Sequence, residues 1–335
     1  MTPNGSGMLR ADLHLHSCHS GFAGHMRFLR ALDCYSRPDD VYATAKARGM
    51  DLVTITDHDS IDGCLEYLDR HPDAPDFFVS EEIECRFPDV ALKVHIGAYG
   101  IDETIHREIQ QLRGNVFEAA SYLRSKGVFF AFNHPFFFFR GQLPLERYLD
   151  AIADHFPAVE ARNGTMLRQH NALTEALVDR WSSAGRVRLT MTGGSDAHTL
   201  RGIGTTFTEA PGTTREEFFE SLRAGRARPG GSHGSALREA TEIYGVVRDY
   251  WSALVAGGRP ELAGSARVIG LAFSAVTLPL EFTPLLIAMH HKRAESRRIA
   301  AVEAVCPKPQ AVDPKPQAVD PKPQAVDPKP QAVDQ

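Results

Sequence analysis

Several things are scarce in this sequence, and each scarcity narrows the choice. There is no basic excess: 37 Lys and Arg stand against 42 Asp and Glu, a net charge of -5 with histidine neutral. Without a basic footprint the overall field gives no sequence-independent grip on a polyphosphate chain, so no stable nucleic-acid partner is expected. A local basic pocket is compatible with that balance. Cysteine is sparse: Cys18, Cys34, Cys64, Cys85 and Cys306 are an odd set with no CxxC, which encodes neither a disulfide framework nor a cysteine zinc site. Met1 to Arg10 is polar and glycine-rich and lacks the apolar core of a signal peptide. These features together lead to the expectation of a reduced, cytoplasmic protein. A glycine-rich dinucleotide fingerprint is absent as well.

What is plentiful is histidine, 15 in 335 residues. Residues 8–230 alternate short apolar runs with amphipathic stretches. Leu9–His16, Asp51–Thr56, Phe77–Val79, Val94–Tyr99, Val128–Asn133, Ala158–Ala161 and Val187–Thr192 read as strands. Pro38–Arg48, Glu103–Lys126, Pro144–His155 and Leu167–Ala184 read as helices between them. Repeated strand and helix predict a parallel α/β sheet, and some seven repeats predict closure into a barrel, whose chemistry sits at the C-terminal ends of the strands. Polar clusters fall at those ends: His14 and His16, Asp57 and His58, Glu82, His95, His134, Glu160, Asp196 and His198.

Beyond Gly230-Gly231 the pattern changes. Leu237, Ala240, Tyr244, Val247, Trp251 and Leu254 recur at helical spacing. The apolar run Val268–Met289 has the length of a membrane span, but it contains Glu281, Pro279 and Pro284. A carboxylate there is costly, so a helical pair docked on the barrel, or a segment lying at a surface, is expected instead. Four copies of Pro-Lys-Pro-Gln-Ala-Val-Asp end the chain; two prolines per repeat forbid a helix and predict an extended, unstructured tail. The expected organisation is thus a barrel at 8–230, a helical extension at 231–305 and a tail at 306–335. No oligomeric state can be read from the pattern.

In Asp12-Leu13-His14-Leu15-His16, strand alternation puts Asp12, His14 and His16 on one face, where two imidazoles can grip one ion. The competing reading, core histidines each with a hydrogen bond, weakens when two occur at this spacing. Thr54-Ile55-Thr56-Asp57-His58-Asp59 ends in polar residues; His58 is the better ligand and Asp59 fits a helix cap. One carboxylate of Glu81-Glu82-Ile83-Glu84, placed at a strand end, is positioned to bridge two ions; the others fit a solvated face. Asn133-His134-Pro135 stops a strand where the histidine is presented, and in Ser195-Asp196-Ala197-His198 the acid and the imidazole share a face. Histidine and carboxylate donors without clustered cysteines suit Zn²⁺, Mn²⁺ or Fe²⁺ rather than Ca²⁺.

Taken as an ordered set, Asp-Leu-His-Leu-His-Ser, Ile-Thr-Asp-His-Asp, Glu82, His95, Asn-His-Pro and Ser-Asp-Ala-His resemble the PHP (polymerase and histidinol phosphatase) superfamily over residues 8–230. The resemblance implies a distorted (β/α)7 TIM-like barrel with two or three divalent ions. It implies a first ion on His14, His16, Glu82 and Asp196, a second sharing Glu82 with His95 and His134, and a third on His58 and His198. A further third-site ligand is common in the family a few residues after the second histidine; Gly21 stands there and cannot ligate, leaving His19 or His25 as substitutes. The implied reaction is phosphoester hydrolysis by a metal-bound hydroxide, with His14, His16, Glu82, Asp196 and His198 as the catalytic group. His198 would protonate the leaving group if its ion were absent. Of Arg140, Arg162 and Arg201, one is expected to clamp the phosphate. Phe136–Phe139 reads as packing more readily than as a base-stacking platform. A phosphatase acting on a small phosphorylated substrate or nucleotide is the leading expectation. The others are a nuclease, a hydrolase of a non-phosphate ester or amide, and a non-catalytic module. Removing Pro307–Gln335 should leave melting temperature and activity unchanged, because a Pro-rich polar repeat buries almost nothing. A thermal melt of the truncated protein checks this, and a fall of several degrees would show that the tail docks.

Overall fold

The computed structural model describes residues 7–257, 259–277 and 283–305. The repeat tail therefore lies outside the described residues. Its architecture is mixed α/β. The strand β1 (Met8–Ala11) pairs with β7 (Thr206–Pro211), which pairs with β8 (Arg228–Gly231), all antiparallel. A second sheet runs β2 (Ser80–Arg86), β3 (Lys93–Tyr99), β4 (Phe129–Phe132), β5 (Ala158–Asn163) and β6 (Thr190–Gly194).

The uniformly parallel, closed barrel expected from the alternation is not what the ladders show. β2–β3 and β3–β4 are antiparallel, and only β4–β5 and β5–β6 are parallel. The reason at β2–β3 is connection length: Phe87–Leu92 is too short for a crossover helix, so the chain must turn straight back. The predicted strand over 51–56 forms only isolated bridges, Ala11 with Leu52 and Val53 with Phe77. Bridges between Leu15 and Ala197 and between His58 and Glu82 join the two sheets in the same sparse manner. Polar side chains supply the ties that a ladder would have made. The Asp57 carboxylate accepts from Ser17 N and Oγ, both at 2.6 Å, and Thr56 Oγ1 accepts from Leu15 N at 3.0 Å.

The expected helices form with small changes of boundary: α1 (Pro38–Ala47), α5 (Leu145–His155) and α6 (Arg168–Ser183). The stretch predicted as one helix over 103–126 is two, α3 (Glu103–Leu112) and α4 (Val116–Ser125), because Asn115 caps a new start by accepting from Phe117 N. Two further helices, α2 (Asp62–Arg70) and α7 (Arg215–Arg223), cover the outside. Phe130, Phe132, Phe136 and Tyr148 are fully buried in the largest apolar cluster. The extension consists of α8 (Ala236–Ala256), α9 (Ser265–Thr277) and α10 (Thr283–Val305), with α10 packed on α8 and α6. Among the described residues no helix is long and apolar enough to cross a membrane.

Closeness of backbone sets one hard constraint. A Cβ on Gly194, at the end of β6, would lie 2.2 Å from His14 Cβ and 2.7 Å from His14 N. Gly194→Ala must therefore push the two segments apart, an overpacking cost of ~1–3 kcal/mol. We expect a lower melting temperature together with loss of bound metal. A variant that melts and loads like the wild type would show that the contact yields freely.

Candidate metal centre

All eight histidine and carboxylate positions expected to ligate metal are brought together. His14 and His16 follow β1, His58 follows the bridged 53–57 segment, Glu82 and His95 lie on β2 and β3, and His134 follows β4. Asp196 and His198 follow β6. Glu82 lies at the middle, fully buried. Its Oε1 stands 3.1 Å from His14 Nε2, 3.0 Å from His95 Nδ1 and 3.1 Å from His134 Nε2. Its Oε2 is 3.0 Å from His58 Nδ1 and 3.7 Å from His16 Nε2. Asp196 Oδ1 stands 3.5 Å from both His14 Nε2 and His16 Nε2.

Four triads have mutually close donor atoms: His14, His16 and Asp196; His14, Glu82 and His134; His58, Glu82 and His95; and His16, His58 and His198. Donors about 2.1 Å from a tetrahedral ion lie roughly 3.4 Å apart, and the separations above bracket that value. His14 Nε2, His16 Nε2, His95 Nδ1 and Glu82 Oε2 are buried with no hydrogen-bond partner, although carboxylate or imidazole atoms lie close by. Such atoms are rare unless something else satisfies them. These donor atoms lie close together without bonding one another, and that donor chemistry fits divalent ions.

Electrostatics agree. Burial alone would raise the Glu82 carboxyl, but the neighbouring His14, His95 and His58 rings hold it well below the ordinary range. Burial depresses His16 to about 3, helped by His198 and His58, so its ring stays neutral and its lone pair stays available. Asp196 is likewise held low against burial, chiefly by His14.

Two acids that complete the arrangement were not singled out in the sequence as site residues. Glu160, on β5, has Oε1 2.8 Å from His14 Nδ1, while Oε2 accepts from His134 N at 2.9 Å. It thereby fixes which nitrogen of His14 faces the centre, the carboxylate–histidine arrangement of metal sites. Ser20 Oγ does the same for His16 Nδ1 at 2.8 Å. Asp33 is the second: its Oδ2 is 3.1 Å from His198 Nε2 and 3.5 Å from His58 Nε2. Gly21 is exposed, and Asp33 N donates to its carbonyl at 3.0 Å, so a folded-back loop delivers the acid twelve residues later than the motif suggests. His19 is committed to Glu66 at 2.5 Å, and the His25 side chain lies outside the described residues. A single acid in the apolar stretch Leu29–Tyr35 was the available clue to Asp33.

Asp12 does not join the centre. It accepts from Ser195 N at 2.8 Å, Gly204 N at 2.7 Å and His14 N at 3.2 Å, tying the first and last motifs together. Burial raises its carboxyl to about 6 in spite of these bonds. Glu81 faces α3, where His106 and Gln110 bind it, and Glu84 pairs with Lys93 at 2.7 Å. His134 and Asp196 have φ of 27° and 53°, a strained left-handed backbone of the kind that clusters at functional sites.

None of the three arginines forms a hydrogen bond or ion pair with the eight residues. Arg162 is held by Glu175 at 2.8 Å, and Arg140 donates to Phe137 O and Phe139 O of its own loop. Arg201 lines a separate cavity. Phe136 and Phe139 pack on Tyr148, while Phe137 and Phe138 edge the rings of His134 and His95.

Residues 181–227 match the family model PHP_C, described as PHP-associated. That match covers the segment holding Ser-Asp-Ala-His and agrees with the resemblance carried by the ordered motifs. An uncharacterised protein of Methanocaldococcus jannaschii is 38% identical over 58 residues, 17% of this chain. The chain spans about a third of that relative, 33% of its length. Among solved structures, the chain is similar to a two-domain protein of Bacteroides vulgatus described as containing a predicted PHP-like metal-dependent phosphoesterase. That likeness has 18% identity and a TM-score of 0.47 over 74% of this chain and 72% of that one. Similarity to a lesion-specific endonuclease of Pyrococcus furiosus is 14% in identity, with a TM-score of 0.45 over 89% and 91%.

If Glu82 is the shared ligand, Glu82→Gln should abolish turnover while Glu84→Gln, changed on an exposed ion pair, leaves it largely intact. Steady-state rates of the two variants decide this, and equal losses would mean that the bridging carboxylate is misassigned.

Proposed function

We propose that the chain is a metal-dependent phosphoesterase acting on phosphomonoesters of small molecules or nucleotides. The observation that carries this reading is the convergence of four overlapping donor triads, two of them sharing the buried Glu82 carboxylate, with buried donor atoms left unpartnered among them. In this reading His14, His16 and Asp196 hold one ion, Glu82 is shared between ions, and His95 and His134 complete a second set. His58 and His198 hold a third, with Asp33 supplying the acid that Gly21 cannot. The isolated bridges that join the sheets fit the strongly distorted barrel of the superfamily, with 8–230 as catalytic body and 231–305 as extension.

When bound, divalent ions stabilise charge on phosphoryl oxygens and lower the pKa of a coordinated water. The chain's own residues do the rest. Glu160 and Ser20 orient His14 and His16, so donors are set before substrate arrives. Burial of Glu82 and His16 excludes bulk water and keeps each interaction strong. Where the third ion is absent, His198, partly exposed and bonded to Asp33 at 3.1 Å, would instead be placed to pass a proton to a leaving group.

The nuclease alternative lacks support in charge, since the chain is net acidic and the exposed-phenylalanine platform it would use is largely packed against histidine and tyrosine rings. Hydrolysis of p-nitrophenyl phosphate and nucleoside monophosphates is therefore expected, with weak salt dependence. The check is kcat/KM for a nucleoside monophosphate and for a labelled oligonucleotide in one buffer containing Mn²⁺. A preference for the oligonucleotide of tenfold or more, about 1.4 kcal/mol, fading as salt rises, would overturn the proposal in favour of a nuclease.

A further inference from the structure

Helix α8 of the extension, with the loops that follow Asp33 and His198, lines an open cavity of about 780 Å³. Its charged lining is Arg37, Arg201, Arg248 and Arg259 against Asp40 and Asp249. Four cations face two anions in a protein whose net charge is -5. Two of the arginines are already used: Arg248 is held by Asp249 at 2.8 Å, and Arg259 lies over the Tyr35 ring at 5.3 Å. The side chains of Arg37 and Arg201 have no hydrogen-bond or ion-pair partner among the described residues. Arg48 even donates to Arg201 O, bringing a further cation to that loop.

The position of the cavity matters as much as its charge. Thr199, in its wall, follows His198 directly, and Tyr35, opposite in sequence, is two residues beyond Asp33. The wall is also anchored: Thr199 Oγ1 donates to the buried Glu242 of α8 at 2.8 Å, and Cys18 N donates to Ser36 O at 2.8 Å. The cavity wall therefore continues directly into the two loops that carry Asp33 and His198. Two unpartnered guanidinium forks offer up to ten N–H donors, a set matched to the terminal oxygens of a phosphate rather than to a single carboxylate.

We propose that this cavity is a second phosphate-binding subsite, and that the substrate of the metal centre carries a second phosphate group that docks on Arg37 and Arg201 while the first is hydrolysed. The substrate class rests on the phosphoesterase reading above; the subsite itself rests on the cavity. The extension then has a function: α8 supplies the wall that selects doubly phosphorylated molecules over singly phosphorylated ones.

The test uses the full-length protein with excess Mn²⁺ and a series of α,ω-alkanediol bisphosphates of three to eight carbons, each beside its monophosphate. At one spacing, wild-type kcat/KM for the bisphosphate should exceed that for the monophosphate by tenfold or more, and in Arg37→Ala/Arg201→Ala that ratio should fall to about one. Both side chains are exposed and unpaired, so a melting curve should confirm that the variant is folded. Calorimetric titration of the same bisphosphates reads the subsite without turnover, and the wild type should bind about tenfold tighter than the variant. If monophosphates are hydrolysed but no bisphosphate is preferred or bound more tightly, the subsite is overturned and the phosphoesterase reading stands. If no phosphoester is hydrolysed yet the binding difference appears, the subsite stands and the reaction is misassigned. If bisphosphates bind wild type and variant equally, Arg37 and Arg201 are solvated surface cations and the inference is wrong.

Discussion

The structure depends on one costly placement, the carboxylate of Glu82 fully buried among five histidine rings. Withdrawing a carboxylate from water costs several kcal/mol even after the protein relaxes, and such a group persists only with compensating positive charge close by. Here Asn133 Nδ2 gives one hydrogen bond at 3.0 Å, and the remaining neighbours are five imidazole nitrogens from four different segments. Divalent ions between those donors would turn an electrostatic liability into the interaction that holds the segments together.

Much of the rest follows as support for that placement. Glu160 sets the ring of His14 and the backbone of His134 at once; Asp57 holds the Ser17 turn; Asp12 spans from the first motif to Ser195 and Gly204. The extension takes part too. Glu242 of α8 binds Thr199 next to His198, and Lys292 of α10 donates to Thr165 O at 2.6 Å, while Thr165 Oγ1 donates to Asp196 Oδ2 at 3.0 Å. Loops that carry two of the donors are thus clamped from outside by helices far along the chain.

The legible part of this arrangement was the part written in local pattern. Strand alternation put His14 and His16 on one face, Pro135 stopped β4 at His134, and apolar periodicity gave the helices within a few residues. The antiparallel β2–β3 and β3–β4 pairings were not legible, because strand alternation is the same in either direction and only the six-residue β2–β3 connection hints at a hairpin. Asp33 escaped for a related reason: its approach to His58 and His198 depends on a loop folding back onto Gly21, a non-local event with no periodic signature. Arginines were the weakest signal. Proximity in sequence to a motif points to Arg140 and Arg162, but each is claimed by a nearer acceptor, whereas Arg37 carries no motif and becomes conspicuous only when the fold sets it in one cavity wall with α8.

The converging donors, on this reading, exist to hold ions through Glu82. Elemental analysis of the purified protein, reconstituted with Mn²⁺ or Zn²⁺ and then desalted, tests it most directly, with Glu82→Gln prepared in parallel. At least two transition-metal ions per chain in the wild type, and a clear deficit in Glu82→Gln, are the predicted results. Less than one ion per chain in the reconstituted wild type would contradict the account.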